Sequence, residues 1–233
     1  MKTTTNARTG SPLVLAGVLT ATLLGCATPS VDLNTLYNVI GSEMSAQQQA
    51  ILVYKNAKLV SGLSVKVNDQ PIAESSSGYV GLLAAPVAVG GKIRLEITTP
   101  QGAITASDVV PAAPIITAPI AQSSVSVSQP LEVNWDSSSN PDRFTVSAAT
   151  VDPKGLTQGI SLSSNTGFLP GSARSVTIPA NALPSGASVA KIRLFVSAYN
   201  DGTETFQGVM LNAAGSRLAI GSEQAKVEFV PTL

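Results

Sequence analysis

A chain of 233 residues with 14 Lys plus Arg against 14 Asp plus Glu has no formal net charge, and its basic residues are scattered. It therefore lacks the positive field with which proteins neutralise nucleic-acid phosphates. The absence of histidine and the presence of one cysteine leave no material for zinc sites, histidine-based triads or thiol redox pairs, and the length suits one or two domains of roughly 100–200 residues each.

At the N-terminus, Lys2 and Arg8 precede an uncharged apolar run over residues 13–24. At about 1.5 Å per residue the run spans roughly 18 Å, short of the roughly 30 Å hydrocarbon core, which favours a secretory signal over a membrane-crossing helix. The run ends Leu23-Leu24-Gly25-Cys26, and this tetrad resembles the lipobox of bacterial lipoproteins. The resemblance implies cleavage between Gly25 and Cys26, a diacylglyceryl group on the Cys26 thiol and often an acyl group on the new amino terminus. Two or three chains hold a protein stably on a membrane where one does so only marginally. Cys26 is the sole cysteine, so the competing role is a buried free thiol. Ala27 stands where the family's inner-membrane retention signal would place Asp, which implies an outer-membrane destination in a Gram-negative host. Without residues 1–25 the chain keeps 12 basic and 14 acidic residues.

Residues 26–44 begin with Pro and Ser among their first members and show no clean alternation; they read as a tether with room for a short helix. Short runs rich in β-branched or alternating residues follow at 51–54, 64–68, 79–83, 92–98 and 103–110. Turn formers at 68–69, 75–78, 90–91 and 100–102 divide them. In Lys92-Ile93-Arg94-Leu95-Glu96-Ile97, charged and apolar residues alternate, which places one face in water and the other in a core. From 109 to 131 there is no charge, and Pro111, Pro114, Pro119 and Pro130 punctuate the stretch. Proline has no N–H for a sheet ladder and stiffens the chain, so 111–119 suits a connector between domains, the alternative being a proline-bearing edge strand of one larger domain.

Beyond the connector, strands are expected at 131–135, 143–149, 175–178, 191–199, 206–211, 217–220 and 226–229. In the strongest of them, Ile192, Leu194, Val196 and Ala198 fall on one face. Seven of the ten aromatics lie in this half: Trp135, Phe144, Phe168, Phe195, Tyr199, Phe206 and Phe229. Core formation accounts for them.

The order of features over residues 114–230 resembles a fibronectin type III or immunoglobulin-like module. Pro114 and Pro119 precede the first strand, Leu131-Glu132-Val133-Asn134-Trp135 stands as a Trp-bearing second strand, and Val196-Ser197-Ala198-Tyr199-Asn200 resembles the penultimate strand. The uncharged stretch 155–173 and the extra material at 206–220 depart from that pattern. In the first half, Val65-Lys66-Val67-Asn68-Asp69-Gln70-Pro71-Ile72 resembles the strand and turn of many bacterial β-sandwich repeats. The expected organisation is all-β: a signal peptide (1–25), a tether (26–44) and two tandem immunoglobulin-like β-sandwich domains (45–112 and 113–233).

The chain offers little catalytic material. There is no Gly-x-Ser-x-Gly elbow. Ser188 and Lys191 would face opposite sides of a strand, and Ser64 with Lys66 would share a face as ordinary surface residues do. Glycoside hydrolysis needs two carboxylates about 5–10 Å apart. The close acidic pairs in the second half, Asp136 with Asp142 and Asp201 with Glu204, sit in turn-like contexts where Asp satisfies local backbone; no EF-hand spacing marks a calcium site. No catalytic residue, metal or cofactor is assigned. Loops at 75–78 and 155–173, with Phe168 as an exposed anchor if it is not core, could present adaptable hydrogen-bonding surface.

The expectation is a lipid-anchored bacterial envelope protein with a non-catalytic binding or structural role. It would be held to the membrane through Cys26 and would engage an envelope protein or polysaccharide, with no role for nucleic acid. The alternative is an envelope hydrolase or carbohydrate-binding accessory using Asp136, Asp142, Asp201 and Glu204.

Overall fold

The computed structural model describes residues 37–160, 162, 168–202, 206–208, 211–212 and 215–233. Every regular element among them is a strand. The first half forms β1 (Tyr37–Ser45), β2 (Gln48–Lys55), β3 (Lys58–Leu59), β4 (Ser64–Val67), β5 (Gln70–Pro71), β6 (Glu74–Ser75), β7 (Gly78–Leu82), β8 (Lys92–Thr99) and β9 (Gly102–Val109). The second half forms β10 (Ile115–Ala118), β11 (Ser124–Ser126), β12 (Leu131–Asp136), β13 (Arg143–Val151), β14 (Thr157–Ile160), β15 (Leu169–Pro170), β16 (Ser175–Ile178), β17 (Lys191–Asp201), β18 (Gln207–Gly208), β19 (Arg217–Gly221) and β20 (Ala225–Thr232).

Alternation decides most of these. In β8, Ile93, Leu95 and Ile97 are fully buried while Lys92 and Arg94 face solvent. In β17, Ile192, Leu194, Val196 and Ala198 are all fully buried, as the period-two pattern requires. Each such Ile or Leu contributes about 1.5–3 kcal/mol relative to exposure.

Two cores result. The first lies between a sheet ordered β19-β1-β2-β7-β6 and a sheet ordered β18-β9-β8-β4-β5, and is filled by Ile51, Val53, Tyr79, Ile93, Leu95, Ile97, Ile104, Leu218 and Ile220 among others. The second lies between β10-β12-β16 and the sheet of β11, β20, β17 and β13. Its centre is Trp135 against Phe144, with ring centroids 5.4 Å apart and planes tilted by 58°, in the edge-on range that aromatic pairs favour. The architecture is an all-β sandwich arrangement.

Three stretches differ from the sequence expectation. Residues 37–44, assigned to a tether with room for a helix, belong to β1, which is central, pairing antiparallel with β2 and parallel with β19. Its alternation is hidden because the register shifts between Gly41 and Met44. A methyl group on Gly41 would sit 2.6 Å from Met44 Sδ, so any larger residue there would require the Met44 side chain to move. The connector at 111–119 contains β10, an edge strand paired with β12; proline at both ends is compatible with an edge, where one row of N–H groups faces no ladder. The extra material after β17 crosses to the first core: β18 pairs with β9, β19 pairs with β1, and Phe206, Leu218 and Ile220 are buried there. The first sandwich is thus completed by the C-terminal half of the chain.

β17 links the two cores. Its residues 192–196 pair with β20 and its residues 199–201 pair with β19, so one sheet continues from the first sandwich into the second. This coupling predicts that Leu218→Ala, which empties a fully buried site, lowers stability by about 2–5 kcal/mol and shifts one shared calorimetric transition. Two transitions, of which only one moves, would show that the sandwiches unfold separately.

Candidate functional site

The break between β19 and β20 forms one wall of a described cleft. β19 and β20 both run antiparallel to β17, but one residue more than a regular ladder allows lies between the pairs Tyr199↔Gly221 and Val196↔Ala225. Ser222 absorbs the mismatch: its N–H donates to Ala198 O at 2.8 Å, its Oγ accepts from Ala198 N–H at 3.1 Å and donates to Glu223 O at 2.7 Å. With Ser222 buried in that role, the chain turns Glu223 and Gln224 out to solvent.

Opposite them stands the β1–β2 hairpin. Ser45 Oγ accepts from Gln48 N–H at 3.0 Å, and the amide of buried Gln49 donates to Ser45 O at 2.8 Å, which fixes the turn. Between hairpin and break lies a cleft of about 570 Å³, walled by Gln47, Gln48, Leu82, Tyr199, Glu223 and Gln224 among others. An apolar pocket of about 270 Å³, lined by Val87, Val89 and Val110, adjoins it and shares Ala46, Pro86 and Glu223. Among the described residues Glu223 is the sole charged one on either wall.

Tyr199 forms the back of the cleft and joins it to a charged cluster. Gly221, its ladder partner, is glycine for a steric reason: a methyl group there would lie 2.9 Å from Tyr199 Cε1. The Arg143 guanidinium lies 4.8 Å from the Tyr199 ring centroid and 4.6 Å from that of Phe168, while its Nε donates to Asp201 Oδ2 at 2.7 Å. Arg217, on β19, approaches Asp201 Oδ1 to 3.4 Å and the Phe168 ring to 5.8 Å. The Asp201 N–H donates to Asp142 Oδ2 at 2.7 Å, and the Asp142 N–H donates to Tyr199 O at 2.9 Å.

The structure therefore gathers Phe168, Asp142 and Asp201, three of the residues singled out from the sequence, around two arginines. Phe168 is 68% exposed and held between cations, so it is no part of a core. Asp142 and Asp201 hold backbone and guanidinium groups and do not face each other across a cleft. Asp136 ends β12 in the opposite sheet of the second sandwich, its ladder partner Ile115. Glu204, Gly25 and Cys26 lie outside the described residues. Among the described residues no group of three Cys, Asp or Glu is placed to hold a metal ion. Sequence reasoning missed Glu223 and Gln224; the polar triplet Ser222-Glu223-Gln224 between two apolar runs was the available signal.

Asp108, on β9, faces this cluster from the first sandwich. Partial burial raises its pKa above the usual carboxylate value, and the charges of Asp142 and Asp201 add to the effect; the Val109 N–H and Lys92 oppose it. An acid whose folded pKa is raised destabilises the fold when ionised, so its penalty appears as pH rises through the ordinary pKa and is absent below it. Asp108→Asn is expected to raise Tm at pH 7 and to leave it unchanged at pH 3. An equal gain at both pH values would refute the electrostatic origin.

No protein-family model and no curated protein matches the chain. Among solved structures it is similar to the fibronectin(III)-like modules of Clostridium thermocellum CbhA, at 13% identity over 84% of this chain and 94% of that one, with a TM-score of 0.32. It is also similar to the four N-terminal Ig domains of Dscam1 isoform 1.9, at 13% identity over 81% and 42% of the two chains, TM-score 0.23. A third is the Bacteroides ovatus mixed-linkage glucan utilization locus protein SGBP-B in complex with a mixed-linkage heptasaccharide, at 11% identity over 83% and 46%, TM-score 0.22. Superpositions this loose extend to no site.

Proposed function

We propose that this chain is a lipid-anchored bacterial envelope protein, destined for the outer membrane, that binds a partner non-catalytically in the cleft between the β1–β2 hairpin and the β19–β20 break. The anchor rests on the sole cysteine directly following the apolar run as Leu23-Leu24-Gly25-Cys26. Tyr37, where β1 starts, is eleven residues beyond Cys26.

The observation that carries binding over turnover is the composition of the cleft wall. It offers amides, hydroxyls and one carboxylate, whereas hydrolysis of a glycosidic bond uses two facing carboxylates and acyl transfer uses a nucleophile beside a base. Its volume falls within the range of roughly 300–1,000 Å³ usual for ligand sites.

Anchoring is tested by fractionating cells that express Cys26→Ala. The variant is expected to leave the membrane pellet for the soluble fraction or to accumulate as uncleaved precursor. A mature-size band that stays in the pellet would overturn the lipid anchor.

A further inference from the structure

From the wall of the same cleft, and resting on the binding function proposed for it, we infer that the ligand is a neutral, hydroxyl-rich molecule: a segment of uncharged glycan.

The first observation concerns charge. Among the described residues neither pocket wall carries a Lys or Arg, and the charged group they place there, Glu223, is negative and exposed. A phosphate, sulfate or uronic acid would meet no cation there and would be repelled by the carboxylate. A basic ligand would gain little, since an exposed ion pair contributes about 0–1 kcal/mol.

The second observation concerns the backbone. An extended peptide gains affinity by adding to an unpaired strand edge. The strands that reach the cleft have no open edge there: β1 lies between β2 and β19, β2 between β1 and β7, β19 between β1 and β17, and β17 between β13 and β19. β7 pairs with β2 on one side and on the other is covered by β6 and by the Gln70 amide, which donates to Leu82 O and accepts from the Ala84 N–H. Recognition therefore falls to side chains. Those present are the amides of Gln48 and Gln224, the Glu223 carboxylate, the Tyr199 phenol and the Gln47 amide, whose Nε2 already donates to Leu83 O at 3.3 Å. Amides, carboxylates and phenols together supply donors and acceptors side by side without requiring a charged partner. Vicinal hydroxyls, each at once donor and acceptor, match that set.

The third observation is pre-organisation. Tyr199 is seated by Gly221 and Arg143, and the hairpin and the break are each fixed by a buried or capping serine contact. The amide and carboxylate groups thus sit on laddered strands or on short turns anchored to them, which lowers the ordering cost on binding. The adjoining apolar pocket would receive the C–H face of a neighbouring sugar unit.

The test uses the full mature chain, Cys26 included, in detergent. It is applied to an array of neutral hexose oligosaccharides, uronic-acid and sulfated glycans, and to an array of peptides with and without Lys and Arg. The strongest neutral oligosaccharide is then titrated calorimetrically against Glu223→Ala, Gln224→Ala and Gln48→Ala. All three positions are exposed, so Tm should not move. The expected result is binding confined to neutral glycans and weakened about tenfold or more by Glu223→Ala. Binding to acidic glycans instead, or neutral-glycan binding that none of the three variants weakens, overturns the assignment. If only peptides bind, and Glu223→Ala and Gln224→Ala abolish it, the glycan assignment falls while the binding function stands. If nothing on either array binds, both fall.

Discussion

The pairing of one eleven-residue strand, β17, with β19 and β20 in turn is the contact on which the described molecule depends. A single strand supplies buried residues to the second core at its start and ladder bonds to the first sandwich at its end. Because both partners lie on the same edge of β17, their junction must accommodate a register mismatch. The Ser222 hydroxyl does this by taking the place of a backbone carbonyl opposite Ala198. Each such hydrogen bond is worth about 0.5–1.5 kcal/mol net, and a buried N–H left without one costs about 1–3 kcal/mol. Serine fills the position because its short side chain reaches its ladder neighbour without displacing the backbone.

The cleft follows from that mismatch. Residues that a regular ladder would hold in register are turned outward at Glu223 and Gln224, facing the hairpin whose Ser45 and Gln49 contacts hold it rigid. Behind them, Arg143, Asp201 and Arg217 brace the junction. The Arg143–Asp201 pair is the shorter contact and the more sheltered, with the Arg143 side chain 12% exposed. Withdrawing such a pair from water costs nearly as much as its attraction returns, so its role is to set geometry: it keeps the guanidinium stacked between Tyr199 and Phe168. Arg217, nearly half exposed and 3.4 Å from Asp201, adds little energy but ties β19 to the end of β17. Asn200 Nδ2 completes the brace by donating to Val109 O, at the end of β9.

Elsewhere the charged residues follow the sheets. Arg193 and Lys191 on β17 both reach Glu228 on β20, at 2.6 and 3.5 Å, and the Arg193 hydrogen bond foremost holds the Glu228 pKa below the ordinary carboxylate value. That contribution is present at neutral pH and is lost as pH falls through the lowered pKa. It strengthens the β17–β20 contact at neutral pH, while Asp108 acts in the opposite sense at the other end of β17.

Strand identity was legible in the sequence wherever alternation ran unbroken. Lys92 to Thr98, Lys191 to Tyr199 and Ser175 to Ile178 are strands because a period of two separates wet from dry faces without reference to any neighbour. The lipobox-like Leu23-Leu24-Gly25-Cys26 is likewise a local signal, legible in the order of residues alone. What the sequence could not determine was partnership. Residues 37–45 show no period because a register shift at Gly41 interrupts it, and residues 217–221 read as one more strand of the second sandwich until contacts about 180 residues apart place Leu218 and Ile220 in the first core. Phe168 was legible as an exposed anchor if not core, but not as the neighbour of two arginines. The cleft was invisible altogether, since its walls come from residues 44–48, 82, 86, 199 and 221–224. Periodicity is a property of adjacent residues, whereas a cavity is a property of which surfaces the tertiary structure brings face to face.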